Sequence, residues 1–65
     1  MDTPQLISIK EASRLTSLSR GAINIMRRQG TFPVAVSLTG QKRVAFVRAE
    51  VEAWIAQRIA SREAA

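Results

Sequence analysis

Sixty-five residues make at most one domain, near the lower size at which a chain buries enough apolar surface to fold alone. Cysteine and histidine are both absent, which removes disulfide frameworks and the commonest zinc ligands, and no metal or other cofactor is expected. Ten Lys and Arg against five Asp and Glu leave a formal net charge of +5, a surplus that suits a polyanion, either nucleic acid or an anionic membrane face.

Residues 1–5, polar and interrupted by Pro4, read as a loose arm. A first helix is predicted from Ile9 to Leu15: Ser8 with Glu11 three residues later fits a capping box, and Ile7 can staple against Ala12. Ile9, Ala12 and Leu15 form its narrow apolar stripe, with Leu18 beyond it available to the same core, and Lys10, Ser13 and Arg14 face outward. "TSLS" is a turn of small hydroxyl residues, in which Ser19 caps a second helix from Arg20 to Gln29 that Gly30 closes in the left-handed region. "VAVSL" and "RVAFV" alternate in the manner of strands and, joined by the Gly-containing "TGQK", read as a β-hairpin with Gln41, Lys42 and Arg43 at its tip. A third helix is predicted from Ala49 to Arg62, with Val51, Trp54, Ile55 and Ile59 on one stripe and Trp54 as the keystone of the core. Residues 63–65 fray, so the domain is expected to span 6–62.

On the second helix Ala22, Ile23 and Met26 share the inward side, while Arg20, Gly21, Asn24, Ile25, Arg27 and Arg28 lie opposite or flanking. An Asn can bond an adenine edge bidentately and an Arg a guanine edge, and Ser19 or an Arg near the amino end can hold a phosphate. Gly21 leaves room for close backbone approach, and Ile25 could touch a thymine methyl or a neighbouring chain. Taken singly, each arginine is explained as a solvated helix surface. Two helices across a short turn, one of them basic, followed by a hairpin carrying Gln41, Lys42 and Arg43, are the layout of a winged helix-turn-helix: mainly α with a small β-hairpin, the second helix entering the major groove and the wing gripping the backbone or the adjacent minor groove.

The order helix, helix, hairpin, helix, together with Leu18-Ser19-Arg20, Ile23, Gly30-Thr31-Phe32-Pro33 and Val51-Glu52-Ala53-Trp54-Ile55, resembles the AlpA family of small phage and prophage regulators, grouped with excisionases and the MerR amino-terminal domain. The resemblance covers residues 6 to 62. It implies a DNA-binding regulator of a mobile element, acting on a promoter or, alternatively, on attachment-site DNA as an excision factor. By position it makes Ser19, Arg20 and the outward side chains of the second helix reading residues, and Lys42 and Arg43 wing contacts. Asn24 stands where the family usually has an aromatic, Ile25 where a basic residue is usual, and Arg27 where an apolar one is common. Phe46 takes the place of a frequent Trp.

Catalysis finds no support: Glu50 and Glu52 are two apart on a helix and do not face each other, and Ser19 has no base suited to activate it. No run of about 18 apolar residues and no charged-then-apolar opening support a membrane span or a secretory signal, so a cytoplasmic, nucleoid-associated location is expected. The outward surface lacks the aromatic platform of single-strand RNA readers. No small-molecule ligand is evident. A protein-interaction module is the weaker alternative, with Ala53, Ala56 and Ala60 as a face for a second chain. A single module buries only about 600–1,000 Å² on DNA, so several copies are expected to act together by self-association or neighbouring sites.

Overall fold

The computed structural model describes residues 5–40 and 44–62, in which three helices stack against a small antiparallel sheet. The chain order is β1 (Leu6–Ile7), α1 (Ile9–Thr16), α2 (Arg20–Gln29), β2 (Val36–Ser37), β3 (Val44–Val47) and α3 (Arg48–Ser61). The fold class expected from the sequence, mainly helical with a small hairpin and compatible with a winged helix-turn-helix, is the one observed.

Each predicted cap is made. Ser8 Oγ accepts from the Glu11 N–H at 3.1 Å and starts α1, and Ser19 Oγ accepts from the Ala22 N–H at 3.0 Å and starts α2. Each satisfies one of the orphan donors of a helix amino end. Gly30 ends α2 at φ 76°, its N–H reaching the Arg27 carbonyl at 3.1 Å while the Thr31 N–H reaches that of Met26 at 2.9 Å. A Cβ at Gly30 would meet nothing within 4 Å, so the position needs glycine for its backbone and not for space. The capping box is only half formed, because the Glu11 carboxylate turns to Arg14 on the next turn.

The sheet differs from the expected hairpin in two ways. Only Val36 and Ser37 of the first run pair with β3, opposite Ala45 and Val44, while Val34 is 81% exposed; Pro33 has no N–H to extend the ladder. The second difference is β1, a strand that the sequence does not predict. Leu6 and Ile7 pair with Val47 and Phe46, making β3 the central strand in the order β1-β3-β2. This pairing also supplies what α3 lacks. Val47, its N-cap residue, offers no capping side chain, and the Arg48 N–H donates instead to the Gln5 carbonyl at 2.8 Å.

Phe46, Ile23 and Val51 are the large, fully buried side chains, joined by Ile7, Ala12 and Phe32 in one cluster. Trp54 lies half-buried at its edge with Leu15, Leu18, Met26 and Ile55. The keystone is therefore Phe46 and not Trp54: the central strand carries Phe46 into the middle of the core, whereas α3 buries Val51, lays Trp54 and Ile55 against the edge of the cluster and has left it by Ile59. Ile59, placed on the core stripe by its spacing, is 52% exposed for the same reason. No helix among the described residues is long and apolar enough to cross a membrane.

Phe46→Ala is expected to cost about 3–5 kcal/mol in chemical denaturation. Trp54→Ala should cost less, because Trp54 lies at the edge of the cluster and Phe46 is fully buried; the reverse order would restore Trp54 as the centre of the core.

Candidate nucleic-acid interface

The orientation of α2 is set at both ends by short-range chemistry. In the preceding turn, the Thr16 hydroxyl donates to the Ala12 carbonyl at 2.8 Å and accepts from the Leu18 N–H at 3.3 Å, while Ser13 Oγ donates to the Leu18 carbonyl. Ser17 takes the left-handed conformation at φ 63° that turns the chain. These hydroxyls satisfy backbone groups that a sharp turn would otherwise leave without partners. After α2, the Gly30 turn drives Phe32 into the core, edge-on to Phe46 at 5.4 Å between ring centroids and tilted against Trp54 at 5.0 Å.

So held, α2 buries Ile23, half-buries Ala22 and Met26, and presents Arg20, Gly21, Ile25 and Arg28 to solvent. Ser19 is exposed and spent on its cap, though a hydroxyl that accepts can still donate. Gly21 is open, since a Cβ there would come no nearer than 3.9 Å to Ser19 Oγ. Arg27 does not stand free on the outward side. It is half-buried, its guanidinium 5.7 Å from the Phe46 ring centroid and its Nη1 donating to Asn24 Oδ1 at 3.1 Å. The rotation of the helix places Arg27 between the two faces, with its guanidinium over the aromatic core at Phe46.

Asn24, Arg27 and Arg28 come together along one side of an open cleft of about 480 Å³, floored by Phe32, Pro33 and Ala35. Val34 completes it, an exposed apolar residue that spacing alone could not assign because it sits in a strand-like run. Gln41, Lys42 and Arg43, the expected wing tip, lie outside the described residues. Just before them, Gly40 at φ 80° donates its N–H to Ser37 Oγ at 3.0 Å and turns the chain away from β2.

Charge is segregated around this surface. From Ala12 to Ala49 the sequence holds no Asp or Glu, but it holds Arg14, Arg20, Arg27, Arg28, Lys42, Arg43 and Arg48. Two carboxylates near the ends of this stretch are engaged locally. Glu11 pairs with Arg14, which holds its carboxyl below the usual carboxylate range chiefly through their hydrogen bond, and Glu52 pairs with Arg48 at 3.0 Å. Among the described residues no ion pair involves an arginine of α2. No cluster of acidic residues among them is arranged to hold a metal ion.

A profile of the family described as "Prophage CP4-57 regulatory protein (AlpA)" matches residues 5–59. The chain belongs to the AlpA family. AlpA proteins are prophage regulatory proteins, and this chain is also 44% identical over 59 residues to a protein of Enterobacteria phage P4 described as "Uncharacterized protein ORF88". That alignment covers 91% of this chain and 66% of the phage protein, so the chain spans just under two thirds of its relative. No solved structure matches it significantly. The match contains all of α2 and the cleft residues.

Arg27→Ala is expected to lower stability by about 1 kcal/mol, because it uncovers the Phe46 ring. Arg28→Ala should stay within about 0.5 kcal/mol of the parent in the same thermal melts, as an exposed side chain with no ion pair among the described residues; equal losses would show that Arg27 is merely solvated. Gly21→Ala should stabilise the fold by about 0.5–1 kcal/mol, since it removes a glycine from a helix with space for the methyl. If that variant also binds DNA normally, no backbone closely approaches DNA at this point.

Proposed function

We propose that the protein binds double-stranded DNA sequence-specifically and regulates transcription from phage or prophage DNA, with α2 as the recognition helix. The observation that carries this reading is the carboxylate-free stretch from Ala12 to Ala49, whose helix α2 exposes Arg20 and Arg28 on a face turned away from the core. Phosphate neutralisation by such a face supplies affinity, and the polar groups of the cleft supply discrimination. Arg20 and the hydroxyl of Ser19, at the amino end of α2, hold the phosphate backbone. Asn24, Ile25, Arg27 and Arg28 face the base edges, and Gly21 lets the helix approach closely. Gln41, Lys42 and Arg43 act as a wing on the backbone or the neighbouring minor groove.

This reading treats the chain as a non-enzymatic regulator working in the cytoplasm at the nucleoid. Its partner is DNA, and its copies cooperate by self-association or on neighbouring sites. No side chain of the carboxylate-free stretch is a general acid or base suited to neutral pH, which favours a binding role over catalysis.

The test is fluorescence anisotropy with two labelled duplexes, one carrying the DNA upstream of the protein's own coding region and the adjoining element boundary, the other the same bases scrambled. A preference for the native duplex of about two orders of magnitude or more is expected. Lys42→Ala combined with Arg43→Ala should flatten the salt dependence by roughly 0.9 log units per lost phosphate contact. Equal binding of both duplexes would reduce the protein to a basic module, and an unchanged salt slope would remove the wing. A footprint over an attachment site instead of a promoter would replace transcriptional control with a role in excision.

A further inference from the structure

We infer that Asn24 and Arg27 act as one unit whose uncommitted polar groups are all donors, so that the base they read in the major groove is guanine and not adenine. The inference rests on the proposed role of α2 in binding DNA. A free Asn reads adenine by accepting from N6–H through Oδ1 and donating to N7 through Nδ2. In this protein Oδ1 is already taken, because Arg27 Nη1 donates to it at 3.1 Å across one helical turn. The same guanidinium lies over the ring of Phe46, 5.7 Å from its centroid, and that ring is fully buried, so the pair is arranged before any ligand arrives.

What remains is the Nδ2 amide group of Asn24 and the other N–H groups of Arg27, beside the exposed Arg28 on the same cleft. All are donors. Of the four bases, guanine alone offers two adjacent acceptors in the major groove, N7 and O6. Adenine has N7 beside an N6–H donor, cytosine offers a donor, and thymine has one acceptor beside a methyl. Oδ1 keeps a second lone pair, but the guanidinium on that atom puts positive charge where the adenine N6–H would have to approach. Adenine is therefore opposed as well as unrewarded. Arg27 fixes the Asn24 amide in place and adds its own remaining N–H groups to the donor set, and Asn24 Nδ2 is the part of the contact that a substitution can remove alone.

The experiment is enrichment from a randomised duplex library by the full chain and by Asn24→Asp, which removes both Nδ2 hydrogens and keeps an acceptor for Arg27. The expected motif contains a guanine whose replacement by adenine weakens binding roughly 5- to 140-fold, the range for one good base contact. Asn24→Asp should lose the preference at that position and keep it elsewhere. Placing 7-deazaguanine at that position should weaken the unaltered protein without touching its fold. If the position that responds to Asn24→Asp is adenine, if none responds, or if the 7-deaza duplex binds normally, the assignment is overturned. A library from which the unaltered protein enriches no motif would overturn sequence-specific binding itself, and the base assignment with it.

Discussion

Phe32 is the wedge on which the arrangement of this protein depends. It lies between Phe46 of the central strand and Trp54 of α3, and it is carried into place directly from the end of α2 by the Gly30 turn. Edge-to-face and tilted contacts of this kind add specific geometry to the burial they bring. The Trp54 indole N–H donates to the Thr31 carbonyl at 2.8 Å, so α3 grips the backbone next to the wedge as well as its ring. The carboxyl end of α2 is thereby fixed to the sheet and to α3 at one point. A chain of this size, without cysteine or histidine, has few other means of holding a surface helix at a defined rotation.

That rotation explains the double character of α2. Arginines near the carboxyl end of a helix gain from its dipole, and this alone would account for Arg27 and Arg28 as surface charge. Their environments nevertheless separate them. Arg27 lies over Phe46 and is tied to Asn24, so it belongs as much to the core boundary as to the surface, whereas Arg28 extends into solvent. A second guanidinium, that of Arg58, covers Trp54 at 4.8 Å, so both ends of the aromatic row Phe46, Phe32, Trp54 are closed by arginine. In a small basic protein these guanidinium groups cover aromatic surface that a larger domain would cover with aliphatic side chains.

Electrostatics reinforce the same division. Glu11 of α1 and Glu52 of α3 lie beside Arg14 and Arg48 of their own helices, three and four residues away, the spacing at which such pairs meet. Exposed pairs of this kind contribute little stability. Their larger effect is on the field. They neutralise the periphery and leave the stretch containing α2 uniformly positive, as a surface for a polyanion requires.

Sequence alone determined the caps, the helices and the charged face, because each rests on contacts within three or four residues. Ser8, Ser19 and Gly30 stand where the chain needs a side-chain acceptor or a left-handed residue, and α1, α2 and α3 begin and end within a residue of their expected bounds. The grouping of Asn24, Arg27 and Arg28 was legible for the same reason, being spaced for one side of a helix. Tertiary structure decided the rest. Two residues, Leu6 and Ile7, are too short a run to show alternation, and they are a strand only because β3 passes beside them. Whether Phe46 or Trp54 sits at the centre depends on where α3 leaves the core, and the commitment of Asn24 Oδ1 depends on Arg27 being pressed back over Phe46. Periodicity in a sequence says which residues share a face, but how deeply that face is buried, and which polar atoms remain free on it, follows from elements distant in the chain.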